Sequence, residues 1–180
     1  MKTLYFWITA LLMAISTITL AQSAQPPQTE AQKSFAMLKT LAGSWEGPVS
    51  VQPPQPEMKP GANTTVTLRV TSMGNAMVHE MRSPDRPDDP ITMLYMDGDH
   101  VMLTHYCDAG NRPRMTGKIS ADGKSVEFTF LDVAGPLNYG HMDHAVFTPV
   151  DANHHIEDWT YMKPGDQPVH AHFELQRTAK

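Results

Sequence analysis

After residue 41 the chain offers no apolar repeat of helical period long enough to carry it from one strand to a parallel neighbour, which removes most mixed α/β architectures. Short runs separated by turn-forming residues come instead. Val66, Leu68 and Val70 alternate with Thr65, Thr67 and Arg69, and Val126, Phe128 and Phe130 alternate with Glu127 and Thr129, so each run has one apolar and one polar face. Turn chemistry recurs at Gly74-Asn75, Pro84 to Pro90, Asp97-Gly98-Asp99, Gly110-Asn111, Asp122-Gly123, Asp151 to Asn153 and Pro164-Gly165-Asp166. Strands are thereby predicted near 43–52, 63–73, 75–83, 91–97, 100–107, 114–120, 124–133, 143–150, 154–162 and 169–178. The fold class is all-β. About ten antiparallel strands in sequence remove their exposed edges by closing into an up-and-down barrel, with a two-sheet sandwich as the alternative.

One helix precedes the strands. Thr29 is placed to cap a helix from Glu30 to about Leu41, with Phe35, Leu38 and Leu41 on one face. Before it, Lys2 and the apolar stretch Leu4 to Leu20, followed by the small residues Ala21 and Ala24, read as a secretory signal peptide over 1–24; a retained membrane anchor is the alternative. Residues 25–29 form a linker and 30–180 a single domain, expected to be periplasmic or secreted and without a stable membrane span once the signal is removed. Loss of Lys2 leaves 13 basic against 19 acidic residues, a formal charge of −6, and no basic face suited to nucleic acid. The lone Cys107 excludes an internal disulfide, so packing alone must hold the domain.

Nine histidines are more than a plain core of this length requires, and they are the main functional clue. His79 on the third strand and His105 on the fifth are candidates to orient a polar ligand group or serve as a general base, with the inward face of both strands left open by their mixed alternation. His105 and Cys107 share a face, a spacing that suits two metal ligands or two ordinary core residues, and they alone do not make a metal site. His141 lies at the eighth strand. Arg112 and Arg114 flank Pro113 in a stiff turn that can clamp an anion at a barrel mouth, or pair with Asp108. Trp159 shares a face with Glu157 and Tyr161, lining a cavity or packing the core. On the last strand Ala171, Phe173 and Leu175 form the apolar face, which turns His170 and His172 outward.

Gly43 and Trp45 at the start of the first strand, with Phe173 to Arg177 closing the last, resemble the calycin pattern of lipocalins, fatty-acid-binding proteins and nitrobindin-like barrels. The stretches Thr104 to Cys107, Gly110 to Met115 and Gly140 to Met142 look similar to exported bacterial calycin-like proteins of unknown function. The resemblance implies that Trp45 plugs the closed end of a barrel, with Arg177 across its ring. Nitrobindin binds haem through a histidine near its C-terminal strand, the region of His170 and His172, but this chain departs from the family pattern at Pro48. No nucleophile elbow, phosphate loop or zinc motif appears, so no catalytic residue and no cofactor are assigned. The expected function is binding of an apolar or amphipathic small molecule, its body against Val66, Phe128 and Trp159 and its polar end met by His79, His105 or the two arginines. The alternatives are an enzyme with a histidine general base and a metal- or haem-binding envelope protein.

Overall fold

The computed structural model describes residues 27–56, 61–84 and 89–178. The signal segment, its cleavage points and the anchor alternative lie outside the described residues. Among the described residues, no helix is long and apolar enough to cross a membrane.

Helix α1 (Glu30–Thr40) begins as the sequence predicts: the Thr29 side chain accepts from the Gln32 backbone N–H, and the Gln32 side chain accepts in return from the Thr29 backbone. Ten strands follow: β1 (Gly43–Gln52), β2 (Asn63–Thr71), β3 (Ala76–Arg82), β4 (Ile91–Asp97), β5 (His100–Tyr106), β6 (Arg112–Ile119), β7 (Val126–Ala134), β8 (His141–Pro149), β9 (His154–Lys163) and β10 (Gln167–Arg177). Each pairs antiparallel with its sequence neighbour, and β1 pairs with β10, so the sheet closes and the sandwich alternative falls away.

Closure brings Trp45 opposite Arg177 in the β1–β10 ladder. The guanidinium lies 3.9 Å from the centre of the indole ring, and its nitrogens donate to the carbonyls of Ala42 (2.8 Å) and Ala152 (2.8 Å). Trp45 donates its indole N–H to the carbonyl of Leu41 at 2.8 Å, fastening the strand to the end of the helix. Gly43 is needed at this seam: its φ is 144°, and a Cβ there would stand 2.2 Å from an Arg177 nitrogen.

Helix α1 lies across the barrel end that holds Trp45, and apolar side chains fill that half. Leu38, Trp45, Leu68, Met77, Leu94, Leu103, Met115, Phe128 and Phe147 are all buried there in one cluster. Two sequence alternations break where the ladder does. Phe130 is 38% exposed although it still pairs with Met115: the pairing of β7 with β8 ends at Thr129, and the pairing of β6 with β7 slips just beyond Phe130, at Leu131. Val70 is exposed at the end of β2, beside a 3-10 turn over Ser72–Gly74 that ends this strand earlier than its sequence predicts.

Replacing Trp45 removes the largest fully buried side chain and leaves Arg177 without its stacking surface. Trp45→Ala is expected to lose about 3–5 kcal/mol in denaturant unfolding; a loss under about 1 kcal/mol would contradict a structural plug at this position.

Candidate functional site

The other half of the barrel is not filled. Past the core cluster the lumen widens into a cavity of about 360 Å³ that opens at the end opposite α1. Val51, Met81, Val169, Ala171 and Phe173 make its walls largely apolar, while Gln55 and Lys163 stand at its rim, the lysine ammonium donating to the Gln55 side-chain oxygen.

One polar stripe crosses the wall. His79, Thr92 and His105 are directly opposite one another in the registers of β3, β4 and β5, and all three are buried. Trp159 faces them, its ring centre 5.6 Å from that of His79 and 5.7 Å from that of His105.

Behind the stripe lies Glu157, fully buried. The residues at 155, 157 and 159 of β9 point inward by strand alternation, and the Glu157 carboxylate accepts from all sides: Nε2 of His79 at 3.0 Å, Nε2 of His155 at 2.9 Å and Nε1 of Trp159 at 3.0 Å. Burial is the strongest influence on this carboxyl and works to raise its pKa, but the attraction of His79 and the hydrogen bonds from the two histidines outweigh it, leaving Glu157 well below the ordinary carboxylate range. Because Nε2 of each imidazole is committed to the carboxylate, Nδ1 of His79 and of His155 is the atom left over. Both are buried without a hydrogen-bond partner among the described residues. His155 in turn packs against Trp45 at a ring separation of 4.2 Å, so the network reaches from the barrel plug to the cavity wall.

His105 is held differently. Burial, and after it the proximity of His79, lowers its pKa to about 4, so it is a neutral imidazole at physiological pH. Its Nδ1 is 2.8 Å from the Thr92 hydroxyl, which is itself buried and has no other hydrogen-bond partner among the described residues. A buried hydroxyl must place its proton, and the Nδ1 lone pair is the acceptor at hand; the imidazole proton therefore sits on Nε2, on the side of the cavity.

Of the residues the sequence singles out for binding, His79, His105 and Trp159 meet at the cavity. Arg112, Arg114 and His141 do not. Arg112 and Arg114 are exposed on the outer face of β6 while Pro113 and Met115 turn inward, and Arg114 forms a two-bonded ion pair with Asp132, not with Asp108. His141 stacks on Phe130 at 4.5 Å and bonds its own strand through the Met142 carbonyl. Val66 and Phe128 belong to the filled half. His170 and His172 face outward, His172 bonded to Asp158 at 2.6 Å. Cys107 lines the cavity near His105, but among the described residues no group of three or more His, Cys, Asp or Glu side chains is arranged to hold a metal ion. Glu157, with its His155 partner, and Thr92 were not assigned roles from sequence, although the alternation of β9 already sets Glu157 beside Trp159.

The fold is a closed ten-stranded antiparallel barrel with one half of its lumen filled and the other open. Among solved structures the chain is similar to Rv2717c from M. tuberculosis, with a TM-score of 0.61 and 15% identity over 81% of this chain and 98% of that one. It is also similar to a protein of unknown function from the DUF3598 family of Nostoc punctiforme, with a TM-score of 0.53 and 11% identity, covering 78% of this chain and 48% of that one. No protein-family model and no curated protein matches the sequence. These likenesses concern the fold alone.

The low pKa of His105 has a consequence for stability. Unfolding returns the imidazole to its ordinary value near 6.5, so the unfolded chain binds more protons between there and about 4, and stability falls as pH drops through that window. His172, raised by its bond to Asp158, works in the opposite sense at an exposed site, so the effect is read as a difference between proteins. Between about pH 7 and pH 5 the wild type is expected to lose about 2 kcal/mol more than His105→Phe in denaturant unfolding. Equal losses would show that His105 is not held neutral by burial.

Proposed function

We propose that this protein binds a small amphipathic molecule in the open half of its barrel. The observation that supports this most is the division of the lumen: side chains close-pack one half, and the other keeps a mostly apolar cavity of about 360 Å³, within the range of small-molecule sites, with a short polar stripe fixed in its wall. Small barrels of this type commonly hold one ligand in this place. Apolar walls at Met81, Val169 and Phe173 take the body of the ligand, His105 at the end of the polar stripe meets its inner polar group, and Lys163 and Gln55 meet what projects at the rim.

A screen of aromatic acids and ketones, fatty acids, retinoids and haem by thermal shift is expected to give at least one stabilising compound, worth about 2.7 kcal/mol at a hundredfold excess over its dissociation constant. The same compound should change tryptophan fluorescence through Trp159, which lines the cavity, and Trp159→Phe should remove that change while Trp45 remains. A broad screen without a hit would overturn the binding reading.

Export is part of the same proposal. With 1–24 acting as a signal, the full-length chain produced in a bacterial host should appear in the periplasmic fraction with its N-terminus at Gln22 or Gln25. An intact Met1 on the membrane fraction would support the anchor instead.

A further inference from the structure

The polar stripe is not equally open along its length. Nε2 of His79 is taken by Glu157, and its Nδ1 is enclosed in the wall. The Trp159 N–H is likewise taken by Glu157. The Thr92 proton is placed on His105. What remains facing the cavity from this cluster is the Nε2–H of His105, a hydrogen-bond donor on an uncharged ring, fixed in that tautomer by Thr92 and standing beside the indole of Trp159.

Such a wall has a definite preference. A donor without charge is satisfied by a carbonyl oxygen, and a carbonyl carries no proton of its own that would need an acceptor. A carboxylate buried at the same place would find no uncommitted cation among the described residues: Lys163 is at the rim, His79 is already engaged by Glu157, and Glu157 itself adds a charge of the same sign. A purely apolar group would leave the His105 donor buried and unpaired. Trp159 next to the donor suits a flat ring placed against it.

We propose that the cavity is selective for neutral aryl or conjugated ketones, the carbonyl oxygen accepting from Nε2–H of His105 and the ring lying against Trp159. This rests on the binding reading above and names its ligand class. Thr92 is a positioning residue: it touches no ligand atom in this scheme but determines which histidine nitrogen carries the proton.

Three naphthalenes of the same shape and the same number of non-hydrogen atoms, substituted at one ring position, separate the contributions: acetylnaphthalene, isopropenylnaphthalene and naphthoate. In calorimetric titrations of the wild type the ketone is expected to bind about tenfold or more tighter than either the alkene or the carboxylate. His105→Phe should equalise ketone and alkene. Thr92→Val, which keeps the shape of the wall but releases the tautomer, should narrow the preference with little change in alkene affinity, an effect that a merely structural role for Thr92 would not produce. Equal binding of ketone and alkene by the wild type, or a preference that survives His105→Phe, would overturn the assignment while leaving the binding reading in place. Failure of all three to bind would also overturn it, whereas the binding reading itself stands or falls on the broad screen. The wild-type comparison needs no variant, so a folding defect in either substitution leaves the decision intact.

Discussion

A carboxylate enclosed at the centre of a barrel persists only where its charge is met from several sides, and Glu157 is met by His79, His155 and Trp159 at once. Those three side chains come from β3 and β9, so a single buried anion ties opposite walls of the barrel together. It also sets the orientation of every polar ring near it. The two imidazoles must turn Nε2 inward, and the Trp159 indole is held by its N–H beside the cavity. Through His155 the same network rests on Trp45, and through Trp45 on the Arg177 seam where the first strand meets the last. Removing one donor would leave charge unmatched in the interior; removing the carboxylate would strand three donors.

The division of the lumen follows from where bulk is placed along each strand. Residues near the α1 end, such as Leu94, Leu103, Met115 and Phe128, are large, and the helix adds Phe35 and Leu38 from above. Toward the other end the inward positions include Thr92, Ala171 and Val169, and the side chains no longer meet in the middle. With Cys107 the lone cysteine, there is no internal disulfide to compensate for that open half, which places the burden of stability on the filled half and the plug.

Most of the architecture was legible because it rests on local signals. Turn residues at regular spacing, a capped helix and the absence of a crossover segment lead to an antiparallel closed sheet with little ambiguity, and Gly43, Trp45 and Arg177 mark its seam. Strand starts at Arg112 and His141 were placed two residues late, because Pro113 and the residues after Gly140 read as turn; the ladder tolerates them at strand ends. The exposure of Phe130 was hidden, since it depends on where β7 parts from β8, beyond Thr129, and that leaves no trace in one strand's alternation.

The site was less legible for a related reason. His79, His105 and Trp159 could be named as residue types that carry chemistry, but their meeting depends on three-strand register and on the far wall of the barrel. Arg112 and Arg114 drew interest as a stiff basic turn. They instead belong to an exposed strand face, where Asp132 on β7 supplies the partner. Glu157 gave the weakest signal of all, one acidic residue in an alternating strand, and it organises the cluster only because two histidines distant in sequence converge on it.

The account depends on Glu157 and Thr92 fixing the protons of the imidazoles they contact, and the most direct measurement is the side-chain nitrogen NMR spectrum of the histidines in the folded protein near neutral pH. Neutral His105 carrying its proton on Nε2, in slow exchange, with Nε2 of His79 and His155 also protonated, is the predicted result. A proton on Nδ1 of His105, or rapid averaging between its two tautomers, would contradict it.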